Sequence, residues 1–306
     1  MKVGFIGLGV MGWPMAANIV KGGHDLVVFD IDREAAERFA GEAGGKAAAS
    51  VGEIARADVV VTMLPTSKHV RRALVEDEAG AFLKAAQPGL VVIDMSSSEP
   101  GDTKQLGPIL AERGATLIDA PVSGARPRAI TGTLALMIGG DDEAAIAKAT
   151  PILECMGDRL FRTGPLGSGH AMKALNNYVA AAGLAAACEA VLIGKRFGLE
   201  PEVMADIMNV STGKNFATEN LLKQHILTES FSAGFTLGLM TKDVAIAADL
   251  GEQVGLDAPI SRLARDRFTY ARDKLGAGRD NSAVILALDE DLGVSLGVRV
   301  HLVKLA

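Results

Sequence analysis

The run Gly167-Ser-Gly-His-Ala-Met-Lys-Ala-Leu-Asn-Asn177 sets a lysine and two amides in a stretch that is otherwise mostly small or apolar. The apolar pattern continues from Tyr178 to Ile193, and its Ala and Leu content favours helix. On a helix, Lys173 and Asn177 stand four residues apart and share one face. Two chemistries are open to Lys173. Its stem can cover apolar surface while the ammonium reaches water, the ordinary fate of a lysine in such a run. Alternatively it is partly desolvated and exchanges a proton with a ligand near neutral pH, as a general acid or base does. Gly167 and Gly169 would let the backbone turn in and approach that ligand closely. His170 lies one turn before the lysine and reads as structural rather than catalytic.

The segments upstream must position that helix. Lys2-Val-Gly-Phe-Ile6 is a short strand, followed at once by Gly7-Leu-Gly-Val-Met-Gly12 and a helix pattern over 13–21. A second strand over 25–29 ends at Asp30. Strand, glycine turn, helix, strand and acid at this spacing make a dinucleotide-binding unit. Gly7 permits the tight turn, Gly9 lets the backbone approach a pyrophosphate, and Gly12 lets the helix pack on the sheet. Leu8, Val10 and Met11 complete the turn, and the helix N-terminus supplies free N–H groups and partial positive charge for the phosphates. Asp30 would accept hydrogen bonds from both hydroxyls of an adenosine ribose and repel a 2′-phosphate, which points to NAD. Arg33 is close enough to meet that phosphate if Asp30 turned away, so NADP is not excluded.

The alternation continues. Ser50-Val-Gly-Glu53 has the form of a capping box, and Asp58-Val-Val-Val-Thr-Met-Leu64 reads as a strand buried on both faces, with a loop over 65–69. Further strands are expected over 90–94, 116–119 and 134–138, and a helix opens at Glu99-Pro100 and runs to Arg113. After residues 159–162 the strand patterns stop. Helices are then expected over 201–210, 215–225, 242–253, 261–274 and 282–288. The fold class is therefore α/β: an N-terminal doubly wound Rossmann-type parallel sheet (1–163), then an all-α domain (164–306), joined by a long helix over about 168–195. That helix is apolar nearly all round, so it should be buried on most sides. A doubly wound sheet binds ligands outside the carboxyl ends of its strands. The turns after Ile6, Leu64, Asp94 and Asp119 should therefore converge on one crevice, although Ser96, Ser97 and Ser123 read equally well as turn residues.

Composition narrows the partners. A formal charge of −6 gives no general attraction for nucleic acid or an anionic membrane. An apolar share of 49% with 22% charged residues is that of a soluble globular protein. Cys155 and Cys188 lack metal-ligand spacing and read as reduced thiols, and the five histidines are scattered, so no metal is expected. Met1 leads straight into a strand with no signal-peptide pattern, and no uninterrupted apolar run is long enough to span a bilayer. A cytoplasmic location is the expectation.

Four separated motifs carry a resemblance. They are Gly7-Leu-Gly-Val-Met-Gly-Trp-Pro-Met-Ala-Ala-Asn18; Asp119-Ala-Pro-Val-Ser-Gly124 with Gly132-Thr-Leu134; Gly167-x-Gly-x-x-x-Lys173-x-x-Asn176-Asn177; and Gly234-Phe-x-Leu-x-Leu-Met-x-Lys242-Asp243. In these the chain resembles the 3-hydroxyisobutyrate dehydrogenase family of β-hydroxyacid dehydrogenases, relatives of 6-phosphogluconate dehydrogenase. The resemblance implies oxidation of a small 3-hydroxy acid, or reduction of its semialdehyde, with Lys173 as general acid/base and Asn177 orienting substrate and lysine. It implies that Ser123 and Gly124 hold the substrate carboxylate, with Ala125 and Asn176 nearby. Met63, Leu64 and Pro65 would line the nicotinamide side, Ser96 would touch the cofactor, and Lys242 would sit by the nicotinamide end. A homodimer or homotetramer is implied as well.

The chain departs from the family after Ser-Gly. Where a second glycine is common it reads Ala125-Arg-Pro-Arg128. Arg126 and Arg128 are either solvated loop charges or holders of an extra anionic group, which would favour tartronate semialdehyde, sulfolactaldehyde or a similar acid. Imine reductases on the same scaffold generally lack the lysine, and scaffold relatives lack it or carry added basic segments, so Lys173 and the acidic balance speak against both. The alternating tail from Gly293 to Ala306 is unusual for the family, reads as partly vector-derived or frameshifted, and is assigned no function.

Overall fold

Val59–Thr62 and Val91–Asp94 are largely β-branched, and all of their residues are buried. Such segments form the centre of a sheet covered on both faces, and in the computed structural model, which describes residues 1–292, they do. The first unit, Met1–Lys173, begins β1 (Lys2–Ile6), α1 (Gly12–Lys21), β2 (Asp25–Phe29), α2 (Arg33–Glu42), β3 (Lys46–Ala47), α3 (Val51–Ile54) and β4 (Val59–Thr62). It continues α4 (Ser67–Arg71), α5 (Asp77–Ala85), β5 (Val91–Asp94), α6 (Pro100–Ala111), β6 (Thr116–Asp119) and β7 (Val122–Ser123). Then come α7 (Ala125–Thr131), β8 (Leu134–Gly139), α8 (Glu143–Glu154), β9 (Gly157–Gly164) and α9 (Ser168–Phe197).

The strand order is β3-β2-β1-β4-β5-β6-β8-β7, with β9 on β8. From β1 to β6 all pairs are parallel; β8 runs antiparallel to β6 and β7, and β9 parallel to β8. Winding runs outward from β1 through β2 to β3, then restarts at β4 on the other side. The switch point between β1 and β4 is where such a sheet opens its binding crevice. Residues alternate between two cores with the period of a strand. Val59, Val61, Val91 and Ile93 pack with Met15 and Ile19 of α1. Val60 and Val92 pack with Ile54, Leu74 and Phe82 on the opposite face.

Three segments differ from expectation. Ser67 begins α4 inside the segment read as a loop, and Ala125–Thr131 form α7 where a loop was the simplest reading. Only Ala129 of α7 is buried, so the helix has no apolar periodicity to betray it. The segment 215–225 becomes a π-helix, Thr218–Ile226. At α3, Ser50 makes no side-chain cap bond; Glu53 Oε2 instead accepts the Ala49 N–H at 3.1 Å.

The second unit opens at Ala174, inside α9, rather than at Gly164 where the strand patterns stop. It adds α10 (Pro201–Asn209), α11 (Leu237–Gln253), α12 (Pro259–Leu275) and α13 (Val284–Leu292). Ala181, Leu184, Cys188, Val191 and Leu192 of α9 form a core with Val244 and Phe268. By length and composition α9 is apolar enough to cross a membrane, but Glu189 interrupts its apolar run, as the sequence reading has it, and the buried face is the core of a helical unit. Burial is one-sided within the chain: Val179 and Ile193 are each 66% exposed and Phe197 85%. The tail from Gly293 to Ala306 lies outside the described residues.

Candidate active site

The glycine turn after β1 is built from three different necessities. Gly7 has φ +100°, and a side chain there would collide with the Met63 carbonyl. A side chain at Gly12 would collide with the Gly7 carbonyl. At Gly9 a Cβ would meet nothing within 4 Å. The first and third glycines thus serve the chain's own packing, while the second faces open space at a helix start. The N-cap of α1 makes no side-chain cap bond and its first turn holds no acid, which leaves partial positive charge for a bound phosphate. Asp30, at the end of β2, accepts the Leu8 N–H at 2.7 Å and the Asp32 N–H at 2.9 Å. Its carboxylate is fixed beside the turn, where a ribose would lie. Gly9 and Val10 are exposed and Met11 half-buried. This cradle fits a dinucleotide.

Across the switch point, Ile6 pairs with Thr62, and the Met63 N–H donates to the Ile6 carbonyl at 2.9 Å. Met63 and Leu64 are half-buried and Pro65 exposed. Ser96, expected to touch the cofactor, is fully buried. Its Oγ accepts the Leu64 N–H at 2.9 Å, and its own N–H donates to Asp94 Oδ1 at 3.0 Å. Ser96 is a tie that fixes the Leu64–Pro65 turn, because its hydroxyl points into the protein.

Lys173 is carried on the second turn of α9, and the first turn is bonded to the ends of the strands. Asp119, the last residue of β6, accepts the Gly167 N–H through Oδ1 at 2.7 Å and the His170 N–H through Oδ2 at 2.8 Å. A buried carboxylate therefore caps the helix N-terminus from a distant strand. Gly169 makes this possible: a side chain there would collide with the Met137 carbonyl and lie 2.8 Å from Asp119 Oδ2. Gly167 and Gly169 were expected to bring backbone to a ligand; Gly169 brings it to the chain's own sheet. The His170 imidazole is buried. Its Nδ1 is 2.8 Å from Thr103 Oγ1, whose hydroxyl also lies 3.1 Å from the Glu99 carbonyl. Nε2 lies 3.7 Å from Asp94 Oδ2 and makes no hydrogen bond among the described residues. Asp94 also accepts from the Thr62 hydroxyl at 2.9 Å and the Ser98 hydroxyl at 2.6 Å. Asp94, Asp119, Thr103 and Ser98 carry no role in the sequence reading. The available signal was an acid closing each of two strands that are otherwise mostly apolar.

Ser123 ends β7 and, like Gly124, is half-buried. Gly124 has φ +136°, and a side chain there would meet Arg128 Cδ at 2.5 Å, so the Arg128 stem lies over it. Ala125, where a glycine is common in the family, adopts φ +53°, a conformation that costs a side-chain-bearing residue about 1–2 kcal/mol. Arg126 and Arg128 are both exposed.

In the second unit, Asn177 is buried and donates through Nδ2 to Asp243 Oδ2 at 2.6 Å. Lys242 Nζ lies 3.3 Å from Asp243 Oδ1. Asn176 is exposed and donates to Asn177 Oδ1 at 3.2 Å. Asp243, buried between the Asn177 and Lys242 side chains, has no role in the sequence reading beyond closing a motif.

Known proteins place this arrangement. Residues 2–164 match the family described as the NAD binding domain of 6-phosphogluconate dehydrogenase. Residues 167–288 match that described as NAD-binding of NADP-dependent 3-hydroxyisobutyrate dehydrogenase. The 2-(hydroxymethyl)glutarate dehydrogenase of Eubacterium barkeri is 35% identical, over 97% of each chain. The NAD-dependent L-serine dehydrogenase of Pseudomonas aeruginosa is also 35% identical, over 95% of this chain and 99% of its own. Among solved structures, the 3-hydroxyisobutyrate dehydrogenase of Mycobacterium tuberculosis with L-serine superposes with a TM-score of 0.85. It is 34% identical and covers 94% of this chain and 98% of its own. Sheet, open glycine turn and helical unit are those of an NAD(P)-dependent oxidoreductase acting on CH–OH groups. The chain belongs to the 3-hydroxyisobutyrate dehydrogenase family.

Proposed function

We propose that the chain oxidises the hydroxymethyl group of a 2-substituted 3-hydroxypropanoate to its semialdehyde, with Lys173 as general base and, in reverse, general acid. The names of the relatives support this substrate class. 3-Hydroxyisobutyrate, L-serine and 2-(hydroxymethyl)glutarate share the fragment HO–CH2–CH(R)–COO⁻ and differ only in R. The observation that carries the reading is the seating of Lys173 one turn beyond a helix start bonded to the carboxyl end of β6, in the same unit as the glycine turn. In the oxidation Lys173 Nζ would take the hydroxyl proton, and nicotinamide, when bound, would supply the hydride acceptor. Ser123 and Gly124 hold the carboxylate. Asn177, fixed by Asp243, orients the substrate with Asn176 beside it, and Lys242 serves the nicotinamide end.

Asp30 at the end of β2 favours NAD over NADP, since its charge would face a 2′-phosphate. A cytoplasmic enzyme is part of the same reading. The exposed apolar side chains Ile193 and Phe197 of α9 with Val203 and Ile207 of α10 suit burial against a second copy of the chain.

The test is initial-rate oxidation of 3-hydroxyisobutyrate, L-serine and 2-(hydroxymethyl)glutarate with NAD and NADP in parallel, for wild type and Lys173→Ala. NAD-linked turnover of at least one acid, with kcat lowered roughly 10²–10⁴-fold in the variant, is expected. The variant should still bind NADH. Turnover that survived the substitution would end the role given to Lys173.

A further inference from the structure

We infer that Arg126 is a cofactor-binding residue, a clamp that closes on the dinucleotide's diphosphate from the α7 wall of a cleft that the glycine turn also lines. The inference rests on the NAD(P) site described above and adds a residue to it.

Arg126 lies in the segment that departs from the family, and the geometry gives it a specific place. A cleft of about 430 Å³ is lined by Leu8, Gly9 and Val10 of the glycine turn, by the side of α1, and by Arg126 of α7. The turn contributes the Gly9 face, where a Cβ would meet nothing within 4 Å. That is where backbone is left bare for a phosphate. Trp13, also on the wall, is fixed by an edge contact to Phe39 at 5.1 Å between ring centres.

The walls are tied to each other. Asn18 of α1 donates through Nδ2 to the Ala129 carbonyl of α7 at 2.8 Å, in a buried bond. The distance between turn and arginine is therefore set by packing and not by a wandering loop. The chain also enters α7 through Gly124 at φ +136° and Ala125 at φ +53°. An alanine held in the left-handed region is a local strain that the surroundings must impose. The next residue along is Arg126. Among the described residues its guanidinium makes no hydrogen bond or ion pair. Its neighbour Arg128 is committed differently, with its stem laid over Gly124.

A guanidinium suits this task. It offers planar paired donors to phosphate oxygens and stays charged at every working pH. The glycine turn can serve a diphosphate only from its own side, and an arginine on the α7 wall supplies the opposing charge. The ligand group is thus the cofactor's diphosphate and not a second anion on the substrate. Lys21, at the far end of α1, lines the same cleft. Its Nζ contacts Asn18 Oδ1 at 3.5 Å, roughly two helical turns beyond the glycine turn. It carries the same charge without the position and so provides the control.

The experiment is equilibrium binding of NADH, ADP-ribose and adenosine to wild type, Arg126→Ala, Arg126→Lys and Lys21→Ala, followed by fluorescence and calorimetry. Arg126→Ala should weaken NADH and ADP-ribose by about ten-fold, roughly 1.4 kcal/mol, and leave adenosine unchanged. Arg126→Lys should recover part of the loss, and Lys21→Ala should match wild type. At saturating cofactor, KM for each hydroxy acid should stay the same in Arg126→Ala. Unaltered NADH binding together with a raised KM would overturn the clamp and return Arg126 to the substrate. An equal loss for adenosine, or an equal loss in Lys21→Ala, would also overturn it. Wild-type protein that bound none of the three would instead refute the cofactor site itself.

Discussion

Two helices begin in the first unit beside a glycine, one residue and another glycine, Gly7-x-Gly9 ahead of α1 and Gly167-x-Gly169 at the start of α9, and these starts are used in opposite ways. The start of α1 is left open: Gly9 faces space, the N-cap makes no side-chain bond, and the first turn has no acid. The start of α9 is filled by the chain itself. Asp119 takes two of its N–H groups, and Gly169 packs against the Met137 carbonyl. Both ends carry the same partial positive charge. One is left without a side-chain partner and the other is neutralised by an internal carboxylate. The open end is available to a ligand, and the closed end is a rigid platform for the side chain one turn on, Lys173. An enzyme needs both.

Removing the internal anion gives the largest expected break in this contrast. Asp119→Ala strips two charge-assisted bonds from buried donors, which should lower stability by about 3 kcal/mol. Urea unfolding would read that loss. At a temperature where the variant is still folded, kcat should fall while the dissociation constant for NADH stays near wild type. A variant of unchanged stability would mean that α9 is seated by packing alone.

The glycines sharpen the comparison. Gly12→Ala must push aside the Gly7 carbonyl and should cost about 1–3 kcal/mol. Gly9→Ala meets nothing in the chain, so its melting temperature should stay close to wild type while NADH binding weakens at least about ten-fold. If Gly9→Ala bound NADH normally, the open end of α1 would not be the phosphate site.

A weaker version of the filled end stands before the short 3-10 turn Asn281–Ala283, which leads into α13. Asp280 accepts the Gly234 N–H at 2.7 Å and the Ser282 N–H at 3.0 Å, but it is only half-buried. Burial pushes its carboxyl up, and bonds from the Ser282 hydroxyl and the N–H groups of Ser282, Gly234 and Ala233 outweigh that, so it lies below its ordinary value. A carboxyl lowered on folding adds stability above its unfolded value and loses it as pH falls through the folded one. Wild type should therefore lose this contribution below about pH 4. Asp280→Asn should be slightly less stable at pH 7 and should show a shallower acid limb in thermal melts. Identical limbs would remove Asp280 as a contributor.

Much of this contrast was legible in the chain. The strand, turn, helix and acid of the first motif lie within a short stretch of sequence, and the requirement for glycine is local, so Gly7, Gly9, Gly12 and Asp30 could be read directly. Lys173 stood out as a lysine in an apolar run, where a snorkelling stem is the ordinary reading, and its proton-transfer role came from the family resemblance. The partners of α9 could not be read. Asp94, Asp119 and Thr103 lie far from His170 in sequence and meet it only because β5, β6 and α6 bring them there. Ser96 looked like a ligand contact since a serine after a strand suits either turn or ligand, and only its burial gives it to the Leu64 turn. The helix α7 was hidden because a seven-residue helix with one buried side chain has no period to detect.

The sequence by itself determined the fold class, the glycine turn with its acid, and the lysine, because each depends on neighbours a few residues away. The tertiary structure decided which glycine faces open space, which carboxylate closes α9, and which arginine lines a cleft with the glycine turn. Those outcomes depend on which groups from distant strands and helices come within bonding distance, and it is topology and packing that bring them there.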